Sequence, residues 1–397
     1  MTKKKIIKIL YISRTSKITG AENILLDIVS GISKEYFHPV VALPDNKGLL
    51  FEKLQESGID TRLIKMPFLK VTRNPFLLIW YAISIIIINA VFFFFIIKNR
   101  INIVSCHTVQ EAFYVALPTK LSGRKLIISF KNILDSQRKK IIRAKFAGFF
   151  ADKIVAVSGK AAQDFSDFNA GSKNIAKLKI VYDCIDYEDY LKDLVDVPLQ
   201  SFFKTGKDDF IIANVGSLSE LKGQAFLVES FAKIKASHPK IKVLLVGDIY
   251  DDRDVPYKKK LIEMLEELKL KDTVFMTGYQ KNVKGILKSA DVLVHCPIID
   301  DAFPRVILEG FAMKNVVIGT KVGGIPEMIK DGYNGFLADI NTEELAVKIR
   351  YVYENRKKLE TIKENALNVL VTRFSLKNQL NEIEILYKGL IEGKKNG

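Results

Sequence analysis

The chain has 397 residues, 48% of them hydrophobic and 27% charged, and a net charge of +16 from 61 Lys and Arg against 45 Asp and Glu. That composition excludes a fibrous or disordered chain, and the length suits two domains better than one. The positive excess suits an anionic partner such as nucleic acid, anionic lipid or a phosphorylated substrate, or else it reflects a lysine-rich composition throughout.

The elements can be taken in chain order. The opening "MTKKKIIKILYIS" has the look of a secretory leader, yet Lys8 interrupts its apolar run and no small-residue cleavage site follows. A basic lead-in to a buried strand over residues 6–13 is expected instead. A helix opens at Gly20-Ala21-Glu22, and "HPVVALP" is strand-like. After a long apolar run come a strand at 102–107, a helix around 110–122, a strand at 125–130, a basic helix, and two further strands, "DKIVAVS" and "KLKIVYD". Such alternation predicts a parallel sheet with helices on both faces. The pattern lapses over "LVDVPLQSFFKTGKDD". A first domain at 1–190, a linker at 191–208 and a second domain at 209–370 are therefore expected, with 371–397 as a helical segment.

The second series reads as strands at 209–217, 241–248 and 273–279, then "DVLVHCP" and "NVVIGT". Helices are expected from Gln224, at 257–270, 282–289 and 305–314, and from 343 onward. Two doubly wound domains in one chain predict a ligand in the cleft between their strand ends. No GxGxxG follows the first strand and no GxxxxGK[ST] occurs, which removes dehydrogenase and P-loop readings. Cys106, Cys184 and Cys296 form no CxxC pair and the four histidines have no ligand spacing, so neither a disulfide framework nor a metal site is expected. A reducing compartment is.

Two segments carry chemistry. In "NVGSLSELKG", Gly216 ends a strand and Lys222-Gly223 precedes a helix, a pattern that suits a diphosphate, or is an ordinary loop with a solvated lysine. In "DDAFPRVILEGFAMKNVVIGTKVGGIPEMIKDGYNGF", Pro304 favours a helix start near Phe303. Asp301 then lies in the loop before it and Glu309 on its body, with the backbone N–H groups around 303–306 between them. A loop acid can accept hydrogen bonds from sugar hydroxyls, an acid on the helix from a ribose, and the N–H groups can hold a phosphate. The plainer readings are a helix cap for Asp301 and a solvated face for Glu309.

Asp301-x7-Glu309 followed by Gly323-Gly324-Ile325-Pro326-Glu327 resembles the nucleotide-sugar domain of the retaining glycosyltransferases of family 4, which have the GT-B fold: α/β, with two Rossmann-like doubly wound domains facing a central cleft. "TGAEN", "IVSCH" and "ADKIVAVS … IVYDCIDYEDY" extend the resemblance more loosely through the first half. It implies that Glu309 binds the nucleotide ribose, Asp301 the donor sugar and Lys222 the diphosphate. Gly216 and Ser217 belong to the same strand-end loop. Backbone groups of Ala302, Phe303, Pro304, Arg305 and Val306 would hold sugar and phosphate, and Gly20 would approach the donor. It implies no metal and no cofactor. The chain departs from the family's pattern in four places. Asp301 stands for the usual Glu, and Ser217 for a basic residue, which removes a contact of about 1.5 to 3 kcal/mol. Arg305 is the candidate replacement. Lys131 stands for a His, where it would supply charge or contact the acceptor, and Asp183-Cys184 for Asn-Gly. Nucleotide-sugar 2-epimerases share this architecture, and a non-catalytic nucleotide-sugar binder would share the fold.

Residues Phe76–Ile97 form 22 residues without a charge, long enough to cross a bilayer. A span would separate strands that must pair, so a helix lying on the first domain is expected, with its outer face apolar too. The next basic helix adds Arg138, Lys139, Lys140, Arg143 and Lys145 beside Phe146, Phe149 and Phe150. Together they suit an anionic membrane surface. The expectation is therefore a cytoplasmic protein peripheral to the inner membrane face. Its partners would be a nucleotide-sugar donor and a saccharide or lipid-linked saccharide acceptor, with no role in nucleic-acid binding.

Overall fold

A computed structural model describes residues 6–18, 20–67, 74–134, 136–199, 202, 206 and 208–393. The basic lead-in 1–5, Thr19 of "TGAEN", residues 200, 201, 203–205 and 207 of the expected linker, and 394–397 lie outside the described residues. By internal contact the chain divides into two compact units, Met1–Asp183 with Leu376–Gly397, and Cys184–Ser375.

The first unit runs β1 (Ile7–Ile12), α1 (Gly20–Gly31), β2 (Phe37–Leu43), α2 (Leu49–Glu56), β3 (Asp60–Leu63), α3 (Pro75–Lys98), β4 (Ile103–Cys106), α4 (Val109–Leu121), β5 (Lys125–Phe130), α5 (Gln137–Phe150), β6 (Lys153–Ala156), α6 (Gly159–Ser166) and β7 (Leu178–Ile180). Its sheet has the order β3-β2-β1-β4-β5-β6-β7 with parallel pairing throughout. The central strands are largely apolar, and β1 is buried from Ile9 to Ile12, as sheets covered on both faces require. β3 carries no buried residue, so it sends no apolar signal and sequence reading passes over it. α4 starts with a capping box: Glu111 Oε2 accepts from Thr108 N–H at 2.9 Å, and Thr108 Oγ1 from Glu111 N–H at 3.4 Å.

α3 is the apolar run. Asn74 caps it by accepting from Phe76 N–H at 3.0 Å, and Pro75 fills the first helical position. Its buried residues are Ile88, Phe92 and Ile96, four apart, which make one stripe. Most of the rest is exposed, Phe76 by 80% and Ile86 and Phe94 by 69%, while Tyr81, Ile85 and Phe93 are among those partly covered. The basic helix α5 divides differently from expectation. Arg143 is buried, pairs with Asp164 of α6, donates to the Asn132 carbonyl at 2.8 Å and lies 4.5 Å from the Phe130 ring centre. Lys140 also pairs with Asp164, at 2.9 Å. Arg143 is thus interior, because helical spacing alone cannot say which face meets a neighbouring carboxylate.

The second unit runs α7 (Tyr187–Leu191), β8 (Phe210–Val215), α8 (Gln224–Ala232), β9 (Ile241–Val246), α9 (Val255–Glu267), β10 (Val274–Gly278), α10 (Val283–Ser289), β11 (Val292–His295), α11 (Arg305–Ala312), β12 (Val316–Thr320), α12 (Ile325–Met328), β13 (Phe336–Ala338), α13 (Thr342–Asn355) and α14 (Glu360–Arg373). Its parallel sheet has the order β10-β9-β8-β11-β12-β13. Residues 184–199, read from sequence as the end of one domain and the start of a linker, pack within this unit. Asn282 Nδ2 donates to the Val195 carbonyl at 2.9 Å and Ser289 Oγ to that of Val197 at 3.1 Å. α11 begins at Arg305, where the expected 305–314 helix starts, with Pro304 in extended conformation as its N-cap.

The chain then returns to the first unit as α15 (Leu376–Glu392). Tyr387 brings its hydroxyl within 3.1 Å of that of Tyr11 and its ring edge-on to Phe37 at 5.9 Å. Glu384 accepts from Ser33 N–H at 2.9 Å.

Candidate functional site

In a doubly wound sheet, ligands bind outside the carboxyl ends of the strands where the strand order reverses. In the second unit that point lies between β8 and β11. β8 runs into the loop of Gly216, Ser217 and Lys222, and β11 into the loop of Asp301.

The two loops meet there. Lys222 Nζ lies 2.6 Å from Asp301 Oδ2, with the side chains 31% and 20% exposed. Two glycines make the approach possible. Gly223 has φ +71°, and a Cβ there would fall 1.9 Å from the Cys296 carbonyl oxygen, so the loop can lie against the end of β11 only without a side chain. Gly323 has φ +57°, and its Cβ would fall 1.9 Å from the Asp301 carbonyl oxygen. Gly323 N–H donates to Asp300 Oδ1 and Gly324 N–H to the Asp301 carbonyl, both at 2.8 Å. The Gly-Gly segment is thus a clamp on the Asp301 loop.

Burial by itself would raise the Asp301 carboxyl. His295 and Lys222 outweigh burial and hold it far below the usual carboxylate range. The His295 Nε2 is 3.4 Å from Asp301 Oδ2 and is not aligned for a hydrogen bond, so it acts through proximity. Burial, with the Lys222 charge beside it, lowers the His295 imidazole in turn, which favours its neutral form. The result is a fixed carboxylate next to an ammonium, one side open to solvent.

Glu309 lies on α11 and is 20% exposed, not on a solvated face. Burial pushes its carboxyl up, opposed by Arg305, whose Nε lies 3.5 Å away. α7 packs on α11, and burial pushes the Tyr190 phenol far up, with the Glu309 charge adding to it. Between the two acids, Ala302, Phe303 and Pro304 are buried, with Phe303 against the Phe374 ring at 5.4 Å. They lead into the first turn of α11 at Arg305 and Val306, where N–H groups lack intrahelical acceptors. The Ser217 carbonyl accepts from Gln224 Nε2 at 2.9 Å. Arg305, the candidate for the missing basic charge, is directed to Glu309.

The arrangement has three parts: a carboxylate for hydroxyl groups, a lysine with a helix N-terminus for an anion, and a second carboxylate for another hydroxyl-bearing group. Sequence reading missed His295, Asp300 and Tyr190. His295 stands at a strand's carboxyl end, which was its available signal; Tyr190 sits at the end of the segment taken as the first domain.

Lys131 belongs to the first unit. Its Nζ is 2.7 Å from Asp183 Oδ1, and Gln379 of α15 donates to the same oxygen at 3.2 Å. The buried His107 is lowered by burial and by the Lys131 charge. Gly20 opens α1, and nothing lies within 4 Å of where its Cβ would be, so packing within the chain does not require a glycine there. Among the described residues no three His, Cys, Asp or Glu side chains are grouped to hold a metal.

Two parallel doubly wound units and this strand-end site define the GT-B architecture. Residues 199–369, which lie within the second unit, match the family model of the glycosyl transferases group 1. The chain is similar to N-acetyl-alpha-D-glucosaminyl L-malate synthase of Bacillus anthracis, 26% identical over 62% of this chain and 62% of the relative. It is also similar to the UDP-Gal:alpha-D-GlcNAc-diphosphoundecaprenol alpha-1,3-galactosyltransferase of Escherichia coli, 23% identical over 47% of this chain and 48% of that protein. The chain thus spans less than two thirds of these curated relatives' length. Among solved structures, HepE of Anabaena in complex with UDP and glucose superposes with a TM-score of 0.79 at 23% identity, over 96% of this chain and 99% of that one. At that identity the likeness is one of fold.

Proposed function

We propose that the protein is a retaining, metal-independent glycosyltransferase that moves a sugar from a nucleotide-sugar to an acceptor hydroxyl. The observation that carries this is the Lys222–Asp301 pair at the β8/β11 reversal, with Glu309 eight residues on at the next helix. Glu309 accepts hydrogen bonds from the ribose and Asp301 from the donor sugar. Lys222 and the first turn of α11 carry the charge that develops on the leaving diphosphate, so no metal is needed for it. Gly216, Ser217 and backbone groups of Ala302, Phe303, Pro304, Arg305 and Val306 line the donor. The bond from the sugar's anomeric carbon to phosphate oxygen breaks as the bond to the acceptor oxygen forms on the same face. The acceptor proton passes to the leaving phosphate.

The acceptor is a lipid-linked saccharide of cell-surface polysaccharide or glycolipid synthesis, taken at the inner membrane face. The exposed apolar side of α3 supports this, as does the likeness to a relative named for a diphosphoundecaprenol acceptor. Titration with a panel of nucleotide-sugars should find one that binds the wild type, and Glu309→Ala should weaken it about thirtyfold or more. Equal affinity for wild type and variant would sink the donor assignment. The anomeric configuration of the product, read by NMR, decides retention. Exchanging Phe76, Ile86 and Phe94 for Ser should move the protein from the membrane to the soluble fraction.

A further inference from the structure

The apolar side of α3 does not stand alone. α3, α4 and α5 enclose a groove of about 390 Å³, large enough for a lipid chain. Ile86, Phe93, Phe94, Phe113, Leu117 and Phe150 line it, and Asn89 is the one polar side chain that does. Several of these are left in solvent, with Leu117 49% and Phe94 69% exposed. A large apolar channel kept open to water calls for an apolar occupant.

At one end the groove meets a second pocket of about 370 Å³, and Phe150 lines both. Here the lining changes from apolar to basic: Lys120, Arg124, Lys125 and Lys177 against Asp152. Lys125 is paired with Asp152 at 2.8 Å, and Asp152 is the one carboxylate in a lining that carries four cations. Lys120 and Lys177 donate to the carbonyls of Phe149 and Gly148, at 3.0 and 2.7 Å, at the end of α5. The Arg124 Nε is buried and makes no hydrogen bond. Burial lowers the Lys177 ammonium; the Asp152 charge opposes this, and repulsion from Lys120 and Lys173 adds to it. An anion in the pocket would relieve the repulsion and engage Arg124.

An apolar groove and a basic pocket that share Phe150 as a wall are together complementary to one kind of molecule. We propose that the first unit binds an anionic phospholipid, its acyl chains along the α3–α4–α5 groove and its phosphate in the Lys120–Arg124–Lys177 pocket. The position separates this lipid from the lipid-linked acceptor proposed above. Lys125 opens β5, Asp152 precedes β6 and Lys177 precedes β7, so the pocket lies at the amino ends of the strands. Substrates of doubly wound sheets bind at the carboxyl ends, roughly 20 Å away along a six-residue strand. The lipid is an anchor and not a substrate. The inference rests on the reading of this unit as the membrane-facing one and is independent of the donor site.

Short-chain, water-soluble lipids test it without a membrane. Dihexanoyl phosphatidylglycerol, titrated calorimetrically into the full chain, should bind with a stoichiometry of one, with dihexanoyl phosphatidylcholine much weaker and inorganic phosphate alone not measurable. Lys120→Gln should weaken binding about fivefold and Arg124→Glu about thirtyfold. Leu117→Glu, at an exposed position in the groove, should abolish it. Nucleotide-sugar affinity and melting temperature, measured on the same samples, should stay at wild-type values, so that failure here is separable from failure of the transferase reading. Equal binding of the two lipids, or binding that survives both Arg124→Glu and Leu117→Glu, overturns the proposal. So does a lipid-free wild type that forms a dimer which Leu117→Glu dissociates, because the groove then holds a second copy of the chain.

Discussion

The two units each hold a lysine and an aspartate in near-identical contact, and the pairs sit in different surroundings. Lys222 and Asp301 are 2.6 Å apart, Lys131 and Asp183 2.7 Å. The first pair is 31% and 20% exposed, the second 11% and 13%. Around Lys131–Asp183 the polar contacts close on the chain itself, because Gln379 donates both to Asp183 and to the Tyr182 carbonyl. The pair thereby ties the end of β5 to the segment after β7 and to α15. Around Lys222–Asp301 the contacts are left incomplete: a buried imidazole lies on one side and solvent on the other. A charged pair whose partners are all internal serves the fold, and one with an open side is available to a ligand.

That contrast can be broken by substitution. Asp183→Leu leaves Lys131 buried without its carboxylate and should cost about 3 to 5 kcal/mol of stability in urea unfolding. The double variant Lys131→Met with Asp183→Leu should recover most of it. If the double variant is stable but transfers no sugar while still binding donor, Lys131 acts on the reaction and the contrast fails. Lys222→Met should lower kcat about 100-fold to 1000-fold, the scale for losing one charge-stabilising group, while unfolding free energy shifts by about 1 kcal/mol or less.

Another test concerns a carboxylate held without a lysine. Burial pushes Glu111 up to about 8, against the hydrogen bond from Thr108 and the charge of Arg14. The folded state then keeps a proton that the unfolded state releases near pH 4.3. Between that value and about 8 stability should fall as pH rises. Glu111→Gln should flatten this slope in a series of urea midpoints, and an unchanged slope would show that Glu111 is ionised in the fold.

The doubly wound plan was readable because parallel strands buried on both faces appear as unbroken apolar runs. α2 and β3 were not, since an amphipathic helix and a polar edge strand send a weak signal. The spacing of Asp301 and Glu309 drew attention to the right loop and helix because both lie within one short segment. His295 and Tyr190 join them through the tertiary fold, from a strand end and from a segment without strong periodicity. Arg143 was misjudged for a related reason: a basic residue on a helix reads as solvated until a carboxylate on another helix, here Asp164, is found opposite it. In α3 the run of apolar residues was plain, but which three of them face inward was set by packing.

The return of α15 to the first unit has a consequence for synthesis. β1 emerges first from the ribosome, yet the residues that cover Tyr11 and Phe37 are translated only after the whole of the second unit. At about 5 to 20 residues per second that interval lasts on the order of 10 to 40 s. The second unit is contiguous and can close as it is made, whereas the nascent first unit must wait with part of its core uncovered and α3 exposed. The unit that comes first in the chain is therefore the one finished last.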